Sequence, residues 1–276
     1  MIKLIAIGDV MGKAGRRCLA KALPKIQELH APDILIVNGE NAAGGFGITK
    51  KIYKQLIESF GVDCVTTGNH WHDKREIYEL IPSAERLVIP GNMMNVDSIH
   101  HGYKILETKS GTPFAVINVI GSAFMHPDNR NPFHCVDEIM KHIPEQVRIR
   151  VVDVHAEATS EKQGMGRYLA EKASLVFGTH SHVPTADERI LDNYTGFITD
   201  IGMTGPYDSV IGIRKEAAIA RMTGGERKKF EPATKDLWMP FVAAEIDEQS
   251  GACLKIERFR WELERMDLEI NDSPLD

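Results

Sequence analysis

Lys3-Leu4-Ile5-Ala6-Ile7-Gly8-Asp9 is a short β-rich apolar run that ends in a glycine and then a carboxylate. The same construction recurs at Ile36-Val37-Asn38-Gly39-Glu40-Asn41 and at Val65-Thr66-Thr67-Gly68-Asn69-His70. It returns at Phe177-Gly178-Thr179-His180-Ser181-His182, and Val152-Asp153-Val154-His155 likewise ends in polar groups, without the glycine. Each run reads as a strand, and each ends in side chains that carry chemistry. A helical pattern follows each of the first three: Lys13–Leu29, Thr49–Ser59 and Lys74–Ile81. Alternation of this kind predicts an α/β fold with a largely buried central sheet. In open α/β sheets, ligands bind beyond the carboxyl ends of the strands, so five such ends converge on one site. Glycine at four of the five ends lets the backbone turn sharply and come close to a ligand.

Further strands are expected at Phe114–Val119, Gly196–Thr199, Phe241–Ile246 and Ala252–Arg260, and further helices at Val136–His142 and Glu161–Lys172. The last two strands flank Gln249-Ser250-Gly251 and read as an antiparallel hairpin. Thr223–Lys235 reads as a polar surface loop, and the acidic tail Asn271–Asp276 as a frayed end. No repeat or low-complexity linker divides the 276 residues, so a single domain over 1–276 is expected. The net charge of −6 gives no global field to attract nucleic acid. Cys18, Cys64, Cys135 and Cys253 form no metal-ligand or redox pair and read as buried small hydrophobes. The N-terminal apolar run is too short for a signal sequence, and Pro113–Met125 is too short to span a bilayer, so a cytoplasmic protein is expected.

The strand ends gather two carboxylates, amides and imidazoles. This mixed nitrogen and oxygen set suits first-row transition metals, and without thiolates it does not suit a structural zinc. Taken singly, the motifs say little. Gly-Asp after a strand is usually a turn, and many His-x-His pairs are surface histidines. Their conjunction, in this order and at strand ends, decides the reading. A carboxylate such as Glu40 suits a bridge between two cations, and paired metals ~3.5–4 Å apart are a common device for phosphoester hydrolysis. Asp153, beside His155, reads as a structural hydrogen-bond partner.

The order Gly8-Asp9, Gly39-Glu40-Asn41, Gly68-Asn69-His70, His155 and Gly178-Thr179-His180-Ser181-His182 resembles the calcineurin-like metallophosphoesterase superfamily. Within it, the chain is most similar to the YmdB-like phosphodiesterases. The segments Gly8–Gly12, Asn38–Thr49, Thr67–His70, Asp153–Lys162, Gly178–Asp187 and Gly202–Ser209 carry that narrower resemblance. It implies a layered β-sandwich flanked by helices (α/β/β/α). It also implies two transition-metal ions, Fe or Mn. Asp9, His182 and Asn41 would hold one, Asn69, His155 and His180 the other, and Glu40 would bridge them. His70 would be the catalytic proton donor; imidazole titrates near neutral pH, which suits the task. Broader relatives carry Asp where Glu40 stands, and often a histidine where Met11 stands. The reaction implied is in-line attack by metal-activated water on a cyclic nucleotide, particularly a 2′,3′-cyclic one.

Substrate contacts are expected from Gly44 and Gly45, whose loop precedes a helix that Thr49 would cap, and from Thr204 and Tyr207. Phe46 and Trp71 are candidate base-stacking groups but more often core residues. His126, Arg130 and His134 lie in a Pro/Asn-rich loop and read as surface polar residues. Two other functional readings stand beside the diesterase. A nucleotidase or phosphomonoesterase would want extra cations, for which Arg16, Lys50 and Lys51 are candidates. A slow-turnover regulatory protein would bind metal and nucleotide only. The partner expected is a small nucleotide phosphodiester; an RNA-linked role and a homo-oligomer follow from the resemblance alone, and no membrane partner is expected.

Overall fold

The computed structural model describes residues 1–94, 98–125, 129–225 and 228–265. In chain order the elements are β1 (Ile2–Ile7), α1 (Gly12–His30), β2 (Ile34–Asn38), α2 (Lys50–Lys54), β3 (Cys64–Thr66), α3 (Ile77–Leu80), β4 (Leu87–Val88) and α4 (Ser98–His101). Then follow β5 (Tyr103–Glu107), β6 (Pro113–Ile120), α5 (Pro132–His142), β7 (Ile149–His155), α6 (Thr159–Tyr168), β8 (Leu175–Thr179), β9 (Arg189–Leu191) and β10 (Thr195–Ile198). The last are β11 (Gly205–Pro206), α7 (Lys215–Met222), β12 (Leu237–Ile246) and β13 (Cys253–Glu262).

Two sheets form, where strand–helix alternation by itself suggests one. The first has the order β11-β12-β1-β2-β3-β4, with β13 paired to β12; the second has the order β5-β6-β7-β8-β10-β9. Neighbouring strands run parallel from β1 to β4, and again among β6, β7, β8 and β10. The carboxyl ends within each set therefore lie on one side. β12 and β13 form the expected antiparallel hairpin.

Period-two alternation explains the layering. Leu4 and Ala6 of β1 pack with Phe114, Val116, Val151 and Phe177 of the other sheet, making the core between the sheets. Ile5 and Ile7 point the other way, into a core with Cys18, Leu19 and Ala22 of α1. Val152 and Val154 of β7 pack outward with Val136, Ile139 and Met165 of α5 and α6. The order of layers is thus helix, sheet, sheet, helix. The four cysteines are free and buried.

Several elements differ from expectation. The helix expected over Lys74–Ile81 contracts to Ile77–Leu80, with a 3-10 turn over Ile81–Ser83. Thr49 caps α2 by accepting from the Ile52 amide at 3.2 Å, but after Lys54 the helix widens into a π turn over Gln55–Ser59. α4, α7, β5 and the short strands β4, β9 and β11 were not expected. His126 and the acidic tail lie outside the described residues. Among the described residues, no helix is long and apolar enough to cross a membrane.

Candidate metal centre

β1, β2 and β3 from one sheet, and β7 and β8 from the other, end around a single cluster. Asp9, Glu40 and His155 are fully or almost fully buried there, and His182 nearly so. Ligand atoms of Glu40, His155 and His180 lie within 4.8 Å of one another, as do those of Asp9, Glu40 and His182. Glu40 is common to both groups. Asn69 Oδ1 lies 2.9 Å from His155 Nε2, and Asn41 Oδ1 lies 3.2 Å from His182 Nε2. All seven side chains expected as ligands are therefore brought together.

The carboxylates are aimed by backbone amides. His180 N–H donates to Asp9 Oδ2 at 3.1 Å, and Asp9 Oδ1 is buried with no hydrogen-bond partner. His70 N–H donates to Glu40 Oε2 at 3.1 Å, which leaves Oε1 3.2 Å from His155 Nε2. Such proximity requires glycine at residue 68. A Cβ there would lie 2.3 Å from both Glu40 Oε2 and His155 Nε2.

The imidazoles are aimed by their outer nitrogens. The Thr179 hydroxyl donates its one proton to Asp153 Oδ1 at 2.7 Å, so His155 Nδ1–H must donate to Thr179 Oγ1, at 2.8 Å. Ile211 presents a carbonyl, which can only accept, so His182 donates from Nδ1 at 2.9 Å. His180 Nε2 faces Glu157 Oε2 at 3.1 Å. Each ring thus spends one N–H outward and turns its other nitrogen inward: Nε2 for His155 and His182, Nδ1 for His180. Outer partners of this kind fix the tautomer that a metal needs.

Asp153 does more than support His155. Its Oδ2 accepts from Thr66 Oγ1 at 2.5 Å and from Asn38 Nδ2 at 3.0 Å, so one carboxylate ties β7 to β3 and β2 across the sandwich. Lys162 and Asp200 hold the His-x-His loop in a similar way. Asp200 Oδ2 accepts from buried Lys162 Nζ at 2.6 Å and from Ser181 Oγ at 2.8 Å. They hold the loop against its preference, since His180 and His182 have φ of 93° and 64°. Non-glycine residues in that region cluster at functional sites.

Electrostatics agree with a cation site. Burial works against the charge of Glu40, but the charge and hydrogen bond of His155, with help from His70, hold it down at about 2. Burial likewise opposes His155, yet Glu40 and the other carboxylates pull it up to about 9. Burial and the charge of His155 push His180 down to about 3. Burial raises Asp9. Without metal, a proton on His155 thus balances the buried carboxylates, in the place a cation would take. Buried acceptors, a bare Asp9 oxygen and inward imidazole nitrogens form a donor set that fits divalent transition metals.

His70 lies beside the cluster, 30% exposed. Its Nδ1 is 2.9 Å from Asp73 Oδ2, and Phe46 meets its ring edge-on at 4.9 Å. The expected substrate contacts divide. Gly44 and Gly45 have φ of 72° and 97°, and a Cβ on Gly44 would meet nothing within 4 Å. Thr204 and Tyr207 need correction. Thr204 is fully buried, and its backbone instead braces the Asp9 turn, accepting from Met11 N and donating to Asp9 O. The Tyr207 hydroxyl donates to Met203 O at 3.0 Å, and the Arg260 guanidinium covers its ring at 4.7 Å. Neither side chain is available to a phosphate or a base. Sequence reading missed Glu157, Thr179, Lys162, Asp200 and Ile211 as supports. All but Asp200 and Ile211 lie inside the quoted motifs, where their partners could not be read. Trp71 is core, as its commoner role suggests.

Residues 5–259 match the family model described as YmdB-like protein. The chain is 41% identical to a 2′,3′-cyclic-nucleotide 2′-phosphodiesterase of Bacillus subtilis (strain 168), over 93% of this chain and 96% of the relative. A crystal structure of a novel phosphatase from Mycoplasma pneumoniae is 33% identical, with a TM-score of 0.87 over 95% of this chain and 93% of that one. The calcineurin-like phosphoesterase YfkN of Bacillus subtilis shares the fold at a TM-score of 0.53 and 11% identity, over 96% of this chain and 91% of that one.

Proposed function

Because the chain belongs to the YmdB-like family, we propose that it is a dinuclear-metal phosphodiesterase that opens 2′,3′-cyclic nucleotides. The observation that carries the reading is Glu40, one buried carboxylate common to two sets of potential ligands. We assign Asp9, Asn41 and His182 to one ion, Asn69, His155 and His180 to the other, and Glu40 to both. Iron or manganese is the expected metal, given nitrogen and oxygen donors without thiolate. When bound, the ions would polarise the phosphoryl oxygens and lower the pKa of an attacking water.

The chain's own groups complete the reaction. Asp73 holds His70 Nδ1 at 2.9 Å, leaving Nε2 to carry the proton for the departing oxygen. The His70 amide, bonded to Glu40 Oε2, links that donor to the centre. Burial of Asp9 and Glu40 excludes water that would screen the site. The product of a 2′,3′-cyclic substrate would be a nucleoside monophosphate. A cytoplasmic site of action and a homo-oligomeric state belong to the same reading.

A monoesterase reading draws on the phosphatase from Mycoplasma pneumoniae. Against it, Arg16 is engaged by the Ala42 carbonyl, and Lys50 is solvent-exposed at the start of α2. Hydrolysis of bis(p-nitrophenyl) phosphate beside p-nitrophenyl phosphate separates the two. Diester cleavage should dominate, stop with chelator and fall by about 10²–10⁴-fold in His70→Ala. Faster monoester cleavage would favour the phosphatase. Tight metal binding with no turnover would favour a regulatory binding protein.

A further inference from the structure

Ile211 and Gly212 occupy the centre of a two-residue hairpin turn. Val210 and Ile213 exchange backbone hydrogen bonds across it at 2.9 and 3.0 Å. Both central residues have positive φ, 44° and 93°, which defines the type I′ form. That turn favours Asn-Gly, and a β-branched residue at its first position is a genuine conformational outlier. The isoleucine is also 55% exposed, so packing does not account for it. Its carbonyl, however, accepts from His182 Nδ1 at 2.9 Å. A strained, exposed apolar side chain is therefore fixed within one hydrogen bond of the metal centre.

The surroundings suggest what it meets. Met11 underlies the turn: a Cβ on Gly212 would lie 2.7 Å from Met11 Cγ and 3.0 Å from its Cε. The same methyl lies 3.1 Å from the Cβ position of Gly45. Gly45 and the Ile211 turn are thus neighbours on one methionine, and Gly44 beside them faces open space. Phe46 packs on the same small cluster of Met11, Met203 and Ile213, and its ring meets that of His70. Phe46, which meets His70, the exposed Gly44 and the exposed Ile211 thus border one region beside Met11, in which Gly45 is itself buried against Met11 and Pro232. An exposed glycine flanked by an aromatic and a branched aliphatic side chain suits one face of a planar heterocycle.

We propose that Phe46, Gly44 and Ile211 form the subsite for the nucleobase, and that Ile211 sets the preference for base-bearing over base-free cyclic phosphates. The assignment rests on the phosphodiesterase reading above. It moves base recognition in the Gly202–Ile213 region from Tyr207 to the tip of the following turn.

Ile211→Asn tests it. Asparagine is the favoured residue at that turn position and keeps the carbonyl that holds His182. Relief of strain should leave the melting temperature equal or raise it by about 2–4 °C. The readout is the ratio of kcat/KM for adenosine 2′,3′-cyclic phosphate to that for glycerol 1,2-cyclic phosphate, which lacks a base. The ratio should fall about tenfold, mainly through KM for the nucleotide, as loss of an apolar contact implies. Ile211→Leu, which keeps an apolar side chain, should retain most of the ratio. A stabilised Ile211→Asn protein with the wild-type ratio would overturn the subsite while leaving the phosphodiesterase intact. Wild-type inertness towards both esters would overturn the functional reading, and the subsite with it.

Discussion

The two sheets contribute unlike halves to the centre. From the ends of β1, β2 and β3 come the proposed oxygen donors: Asp9, Glu40 and the Asn41 and Asn69 amides. Their carboxylates are steered by main-chain N–H groups, from His180 and His70. From β7 and β8 come nitrogen donors, His155, His180 and His182, steered mostly by other side chains. Asp153 acts through Thr179, Glu157 acts directly, and only His182 leans on a carbonyl. The oxygen half is built into the backbone trace, whereas the nitrogen half depends on a second layer of polar residues. Each half should therefore fail differently.

The largest difference should come from pH. With no metal, the buried carboxylates, Glu40 first, raise His155 to about 9, so below that pH a proton occupies the nitrogen proposed for the ion. Metal uptake must release it. Apparent affinity for the ion held by His155 should fall about tenfold for each unit below pH 9. Glu40, held at about 2, contributes no such loss near neutrality. Calorimetric titration with Mn(II) in buffers of different ionisation heat reads the released proton directly. An affinity flat from pH 9 to 7 would break the distinction between the halves.

A smaller effect is expected from Asp153→Asn. It removes the carboxylate that orients Thr179 and hence His155, and should weaken the corresponding ion about 10–100-fold, leaving the Asp9–His182 ion less affected. Metal content after dialysis, measured per chain, shows whether one ion is lost selectively. Glu157→Gln should cost less, about tenfold at most, because Glu157 is half exposed and water can replace it. Equal losses of both ions in either variant would mean that the supports are shared rather than divided.

The same division explains what was legible in the sequence. Strand ends that finish in glycine and a polar residue are local patterns, and a backbone-steered ligand such as Asp9 or Glu40 carries its geometry within that pattern. Asp153 was readable as a hydrogen-bond partner because it stands two residues from His155. Its bonds to Asn38 and Thr66 span 115 and 87 residues, and no local pattern encodes them. Ile211 was invisible for a related reason. Its role rests on a carbonyl and a backbone angle, and Val-Ile-Gly-Ile reads as an ordinary apolar run. Thr204 and Tyr207 were misplaced because residue type suggested ligand contact, whereas packing under the Asp9 turn and Arg260 decided their roles. In the fold, strands of two or three residues such as β4, β9 and β11 are too short to show alternation. The second sheet could not be read from strand patterns, because buried parallel strands look alike whether they share one sheet or two, and only the family resemblance implied the sandwich that the structure shows.

The most direct test of the dinuclear centre is a titration of chelator-stripped protein with Mn(II), following hydrolysis of adenosine 2′,3′-cyclic phosphate in each sample. The account predicts that turnover is absent in the stripped protein, saturates at two equivalents per chain and does not reach its maximum in Glu40→Gln at any Mn(II) concentration. Full turnover at one equivalent or none, or an unimpaired Glu40→Gln protein, would contradict it.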